Sequence, residues 1–188
     1  MGITQHRNGT ANVHMLANLM LARGHIGRPG AGLAPIRGHS NVQGDRTMGI
    51  NERPSPKLLD SLDRVFGIKS PREHGFGVVD TIQAMYEGDV KVFIGLGGNF
   101  AVATPDTPYT QEGLRRCDLT VQIATKLNRS HLVCGKEALL LPCLGRTEVD
   151  MQQHGPQAVS VEDSMSNVHL SAGRNEPASK NLLSEPDI

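Results

Sequence analysis

Length and charge exclude several classes of protein before any motif is considered. The chain has 188 residues, 38% of them hydrophobic, which is enough for one stable core. Its 19 basic residues balance 19 acidic ones, so no overall positive charge favours nucleic acid or an anionic membrane surface. Aromatic residues make up only 3% of the chain, and no apolar run is long enough for a membrane span. We therefore expect neither nucleic acid nor a membrane as a partner.

The cysteines and histidines form no recognisable metal or catalytic pattern. Cys117, Cys134 and Cys143 are widely spaced without a C-x-x-C pair, so we expect small buried side chains in a reducing compartment. The eight histidines include no H-x-x-x-H or H-E-x-x-H pair, and the G-x-S-x-G motif of serine hydrolases is absent. The sequence therefore indicates neither a metal ligand nor a catalytic residue.

The first quarter of the chain predicts one helix followed by a long irregular segment. Apolar residues recur with helical spacing over 11–23, at Val13, Leu16, Ala17, Met20 and Leu21. The run from Gly24 to Gly49 then contains seven glycines and no apolar period, so we expect neither helix nor strand there. Its glycines, with Arg28 and Arg37, suit a large polar or phosphorylated ligand, although both arginines could instead fix the loop.

Helices and strands alternate through the middle of the chain. The apolar patterns and caps predict helices at 56–66, 78–87 and 109–116, and strands at 90–95, 118–124, 138–141 and 157–161. Because the strands are apolar on both faces, we expect an α/β fold of three layers, a mostly parallel Rossmann-like sheet with helices on both faces. Ligands bind beyond the carboxyl ends of such strands, which places residues 95–99, 122–125 and 142–148 along one edge.

The glycine turn after the first strand also permits a different interpretation. Gly95 and Gly97 fit the first two glycines of the dinucleotide motif G-x-G-x-x-G, but Phe100 occupies its last position. The following strand ends in Gln122–Thr125, without the acidic residue that binds a ribose. A nicotinamide site is thus weakly indicated, and a turn that needs glycine only for its backbone remains an alternative.

Six motifs occur together in this chain. They are Met1-Gly2-Ile3-Thr4-Gln5-His6, residues 24–32 (GHIGRPGAG), 35–38 (PIRG), 41–45 (NVQGD), 124–131 (ATKLNRSH) and 161–166 (VEDSMS). Their combination resembles the central part of the catalytic alpha subunits of molybdopterin oxidoreductases, the dimethyl sulfoxide reductase family, in their formate-dehydrogenase-like form. The resemblance extends over the whole chain.

The resemblance implies a fragment of a larger enzyme. Residues 1–188 would form a single α/β cofactor-binding domain: 1–56 a helix and the glycine-rich loop, 57–150 the α/β core, and 151–188 an extension toward a missing region. The parent would perform two-electron redox chemistry on a small substrate such as formate, using molybdenum bound by two molybdopterin guanine dinucleotides (Mo-bis-MGD). An iron-sulfur cluster of the parent would have its ligands outside this chain, and the fragment alone would be inactive.

The resemblance also implies partners and a location. The chain would associate with the remaining domains of the parent subunit, and the parent with a small-molecule substrate and an electron-transfer subunit. We expect a cytoplasmic location, with the periplasm left open. From the residues themselves the alternative is a free-standing α/β nucleotide-binding or interaction module without catalytic activity.

Five of the implied cofactor-binding residues lie in two motifs. Met1 and Gln5 belong to the segment that would lie against the pterin, where a Gln amide offers two donors and one acceptor. Gly97, Gly98 and Asn99 form the turn that would contact a guanine dinucleotide arm.

Four further candidates follow later in the chain. Gln122 and Thr125, at the end of the second strand of the predicted sheet, would hold the guanine or ribose. Glu148 follows a Leu-Pro pair, and Glu185 is the late acidic position that would meet guanine.

Overall fold

The contacts divide the chain into two compact units. The computed structural model describes every residue except Met1, Arg37, Ser40, Glu52 and Ser164. The first unit comprises Met1–Asn51 and Ser160–His169, and the second comprises Glu52–Val159 and Leu170–Ile188. The organisation suggested by the sequence, a single domain with segments 1–56, 57–150 and 151–188, stays a prediction.

The predicted first helix is confirmed as α1 (Gly9–Ala22). It ends in a Schellman motif, because Gly24 adopts a φ of 63° and its N–H bonds back to the carbonyl of Leu21, while His25 bonds to Met20. The expected apolar face is not buried in this unit, since Val13, Leu16 and Leu21 are exposed and Ala17 and Met20 are only half-buried.

The glycine-rich run is not wholly irregular, and the prediction that it contains no helix was wrong. Residues Val42–Thr47 form α2, which follows Asn41 in a left-handed conformation with φ 64°. Two side-chain contacts within the first unit fix this turn. Asn41 Oδ1 accepts from the backbone N–H of Glu162 at 3.0 Å, and Thr47 Oγ1 donates to Glu162 Oε2 at 2.6 Å. Helix α2 has only six residues and is held by a segment far away in the sequence. A helix of this kind shows no apolar period from which it could be predicted.

The second unit contains a parallel sheet, which confirms the α/β fold class. Its strands are β1 (Val92–Leu96), β2 (Leu119–Ala124) and β3 (Glu137–Pro142), in the order β1-β2-β3. All three run in the same direction, with Leu96 beside Ile123 and Ala124 beside Pro142. Their carboxyl ends therefore lie along one edge, as the sequence predicted.

The second unit also contains four helices, two before β1 and two between β1 and β2. The three predicted helices are confirmed as α3 (Pro56–Phe66), α4 (Val78–Glu87) and α6 (Thr107–Arg116), and the short α5 (Phe100–Ala103) was missed. The core of the unit consists of Met85, Ala101, Leu114, Cys117 and Val133. Cys117 and Cys143 are buried, as expected for small apolar side chains, whereas Cys134 is half-buried.

Only one face of β1 and β2 is covered, and every residue of β3 is exposed. Gln122 is 5% exposed on the covered face, where Phe93 also packs against Phe100 of α5. On the opposite face Ile94 is 66% exposed and Leu139 is 50% exposed. Within the described ranges this second face, which we expected to carry helices, is open to solvent.

The remaining elements are short. They are β4 (Asp150–Gln152), β5 (Gly155–Gln157), β6 (Val159–Glu162), β7 (Val168–Ser171) and two 3₁₀ helices, Arg129–Leu132 and Glu185–Asp187. Strands β4 and β5 pair antiparallel, and β6 pairs with β7. The strand predicted at 157–161 is therefore divided between two small sheets, because a tight turn pairs β5 with β4 instead of adding it to the parallel sheet.

None of the helices in the described part of the chain is both long and apolar enough to cross a membrane.

Candidate functional site

A groove of about 750 Å³ lies beyond the carboxyl ends of the parallel strands. It is lined by residues that follow each strand, together with residues of the C-terminal segment: Leu96, Gly97, Ala124, Thr125, Lys126, Cys143, Gly145, Arg146, Thr147, Glu148, Asn175, Glu176, Ala178 and Glu185. Pockets of 300–1,000 Å³ at this edge of an α/β sheet are typical ligand sites. The topology therefore produces a ligand-sized groove where the sequence predicted one.

Four of the predicted residues meet in this groove. Gly97, Thr125, Glu148 and Glu185 come from four separate parts of the second unit, and all four line the same space. Gly98 and Asn99 follow Gly97 in the same turn but do not line the groove, and neither does Gln122. Gln122 is buried two residues before the end of β2, and its amide donates to the Ser130 carbonyl at 3.5 Å. Gln122 thus contacts protein at this point, while its role toward a ligand stays a prediction.

The glycine turn presents open backbone. Gly97 and Gly98 have φ values of 68° and 73°, and a Cβ built on either residue would meet no atom within 4 Å. The N–H of Gly97 is used, since it donates to the Ile123 carbonyl at 2.7 Å. The N–H groups of Gly98 and Asn99 have no protein acceptor among the residues that the structure describes. Such groups can donate to ligand oxygens that approach the main chain closely.

Glu148 organises the wall of the groove. Its Oε2 accepts from the Gly145 N–H at 2.6 Å, and its Oε1 accepts from the Ala178 N–H at 3.0 Å. The backbone hydrogen bond from Gly145, followed by that from Ala178, lowers the pKa of this carboxyl below its usual value of 4.5. The ionised side chain therefore joins the loop after β3 to the C-terminal segment.

The lowered pKa of Glu148 gives a pH-dependent stability. A carboxyl with a lower pKa in the folded state stabilises the fold fully above its unfolded pKa, and this contribution disappears as the pH falls through the folded pKa. We expect wild-type protein to lose more of its free energy of unfolding than Glu148→Gln between pH 6 and pH 3, and urea denaturation at each pH measures this difference. Glu73→Gln, at an exposed glutamate, is the control. Parallel pH profiles for wild type and Glu148→Gln would contradict the assignment.

Glu185 remains accessible in the groove. Its carboxylate lies 3.8 Å from Arg146 Nη1, and both side chains are about half exposed. Arg146 and Lys126 are the two cations of the lining, and sequence reasoning missed both. Their positions directly after β2 and β3 could have indicated them, because residues that follow parallel strands face the ligand edge.

Cys143 also lines the groove, but it is not equipped as a nucleophile. Burial, followed by the nearby carboxylates of Glu185 and Glu148, raises the pKa of its thiol. The thiol is therefore protonated at neutral pH. Within the described ranges no group of three His, Cys, Asp or Glu side chains is arranged to hold a metal ion.

The remaining candidates, Met1 and Gln5, belong to the first unit. Gln5 is exposed, and its amide has no hydrogen-bond partner among the described residues. Arg28 is likewise exposed. Met1 and Arg37, which the sequence analysis also singled out, lie outside the described residues.

A ligand-sized groove at the carboxyl edge of parallel strands is the arrangement typical of nucleotide- and cofactor-binding α/β domains. The comparison with known families makes this specific. The profile of the family described as molybdopterin oxidoreductase matches residues 1–132. The chain therefore belongs to the molybdopterin oxidoreductase family.

Individual relatives are longer than this chain. An uncharacterized oxidoreductase of Mycobacterium tuberculosis is 59% identical over all 188 residues, and the protein YdeP of Escherichia coli is 51% identical over 98% of the chain. The match covers 24% of each of these relatives, so the chain spans about a quarter of their length. A Bacillus subtilis protein named "Putative formate dehydrogenase YrhE" is 30% identical over 64% of the chain and 13% of its own length.

Proposed function

We propose that the groove beyond β1–β3 binds the guanine dinucleotide arm of a molybdopterin cofactor. The observation that carries this proposal is the convergence of Gly97, Thr125, Glu148 and Glu185 on one groove in a chain of the molybdopterin oxidoreductase family. These four are among the nine cofactor-binding positions that the family resemblance implied. Their common location is what a single extended nucleotide would require.

The groove fits such a group in size and in chemistry. A volume of about 750 Å³ lies in the range of pockets for nucleotide-sized ligands. Open backbone at Gly97 and Gly98 allows phosphate or ribose oxygens to approach, and Lys126 and Arg146 supply positive charge for a diphosphate. The Glu185 carboxylate offers two acceptors for the adjacent N–H groups of guanine.

The cofactor and the residues of this chain would have different roles. The molybdenum centre would supply two-electron redox chemistry on a small substrate when it is bound. The groove residues of this chain would bind and orient the nucleotide arm, and Gln5 would add an amide toward the pterin. Formate is proposed as the substrate, because one relative carries the name of a formate dehydrogenase. We also propose that the parent enzyme has an electron-transfer subunit and an iron-sulfur cluster whose ligands lie outside this chain, and that it is cytoplasmic.

Calorimetric titration of the 188-residue protein with GDP, ADP and NAD tests the binding proposal. We expect GDP to bind more tightly than ADP, because only guanine can donate two adjacent N–H groups to Glu185. Glu185→Gln retains a single acceptor oxygen, so it should weaken GDP binding about tenfold, the effect of one lost charge-assisted hydrogen bond, and leave ADP binding unchanged.

The control for this experiment is Glu73→Gln, which removes an exposed carboxylate that does not line the groove. It should bind both nucleotides like the wild type. Tighter binding of NAD than of GDP would overturn the proposal and favour a nicotinamide module.

A further inference from the structure

The connection between β2 and β3 contains a tightly closed turn. Asn128 precedes the 3₁₀ helix Arg129–Leu132, and its Oδ1 accepts from the Ser130 N–H at 2.9 Å. In return the Asn128 N–H donates to Nδ1 of His131 at 2.9 Å. Reciprocal bonds of this kind form a capping box, which holds the turn in one conformation.

This closed turn also holds the residues that directly follow Gly97 of the groove lining. Asn128 Nδ2 donates to the Gly98 carbonyl at 2.6 Å. The Ser130 hydroxyl donates to Asn99 Oδ1 at 2.9 Å and accepts from the Ala101 N–H at 2.8 Å. Three hydrogen bonds therefore connect a segment after β2 to the segment after β1.

The Ser130 hydroxyl decides which way the Asn99 amide faces. Ser130 is 1% exposed, so its single O–H needs a protein acceptor, and Asn99 Oδ1 is the acceptor within reach. With the amide reversed, Nδ2 would face the hydroxyl, and the buried O–H would lose its acceptor. In the observed orientation Asn99 Nδ2 has no acceptor in the described part of the chain and can donate to a ligand.

We infer that Asn128 and Ser130 are positioning residues for nucleotide binding, acting through Gly98 and Asn99. This inference rests on the proposed nucleotide-binding function of the groove. Ser130 presents the Asn99 amide with its donors toward a ligand oxygen, and Asn128 fixes the carbonyl of Gly98 so that the N–H of Asn99, in the same peptide group, stays accessible. Neither residue needs to touch the nucleotide.

A double-mutant cycle with GDP as the probe distinguishes positioning from a general structural role. We expect Ser130→Ala and Asn99→Ala each to raise the calorimetric Kd about fivefold, the size of one lost oriented hydrogen bond. Because Ser130 acts through Asn99, the double variant should also be weakened only about fivefold, whereas independent effects would multiply to about 25-fold. If Ser130→Ala does not fold, Ser130→Cys replaces it in the cycle, because it keeps a side chain of the same shape and exchanges the O–H for the much weaker S–H donor.

A control and a ligand-free measurement complete the test. Thr120→Val removes another buried hydroxyl, which accepts from the Gly135 N–H at 3.1 Å near the start of β2, and it should lower stability without changing the Kd for GDP. Without nucleotide, the side-chain amide signals of Asn99 in the NMR spectrum should move to free-amide positions in Ser130→Ala.

Each outcome has a defined meaning. Multiplicative effects in the cycle, or unchanged Asn99 signals, would overturn the positioning role while the proposed function stands. Absence of GDP binding by the wild type would overturn both.

Discussion

Replacing Gly173 with alanine is expected to lower the free energy of unfolding by about 3 kcal/mol, because a new Cβ would enter occupied space. A Cβ built on Gly173 would overlap the carbonyl group of Glu148. The two segments cannot simply separate, since Val149 donates to the Asn175 carbonyl at 2.8 Å and Asn175 donates to the Thr147 carbonyl at 2.9 Å. Urea denaturation measures the loss.

The same substitution should also affect the groove. Thr147, Glu148 and Asn175 line it, so a displaced backbone would raise the Kd for GDP. Gly75→Ala is the matched control, because a Cβ at Gly75 meets no atom within 4 Å and the residue has no positive φ. A loss below about 1 kcal/mol in Gly173→Ala, within the ordinary range of surface substitutions and their errors, would contradict the close approach of these segments.

Leu114→Ala should have a comparably large effect on stability, but for a different reason. Leu114 of α6 is 0% exposed and belongs to the core cluster with Met85 of α4 and Val133. Removing its isobutyl group leaves a cavity that the surrounding helices fill only partly, and such substitutions cost about 2–5 kcal/mol. Chemical denaturation of the purified variant gives the value.

Leu132→Ala provides the comparison for this core position. Leu132 lies in the 3₁₀ helix between β2 and β3 and is 82% exposed, so its truncation should change stability by less than about 0.5 kcal/mol. Similar losses in both leucine variants would show that burial does not distinguish the two positions. GDP binding should be retained by Leu132→Ala, whose side chain does not line the groove.

Local sequence signals sufficed for the three longer helices and the three parallel strands of the second unit. Helix α3 begins after its cap Ser55 and ends at Gly67, and α4 ends at Gly88. These limits can be predicted from the sequence because capping residues act through hydrogen bonds to their immediate neighbours. The short α5 was missed, since four residues after a glycine turn show no period. Helix α2 was missed for a related reason, because its attachment to Glu162 is distant in the sequence.

The site was predictable only in part. Gly97 and Thr125 follow apolar strands, so their place at the ligand edge follows from strand direction. The bond network of Ser130 was not predictable, because nothing in the pattern A-T-K-L-N-R-S-H states that the turn lies against Asn99. Likewise one of the two backbone bonds to Glu148 comes from Ala178, thirty residues away.

The sequence by itself determined the α/β class and the positions of the three parallel strands, because both depend on local apolar periodicity. It also determined membership in the molybdopterin oxidoreductase family, which depends on short motifs and their order along the chain. Only the tertiary structure decided that Glu148 braces the groove, that Gln122 is buried against Ser130, and that one face of the sheet is open. These features arise from contacts between segments far apart in the chain. A side chain's partner at such a distance is set by packing and strand register, which no local pattern records.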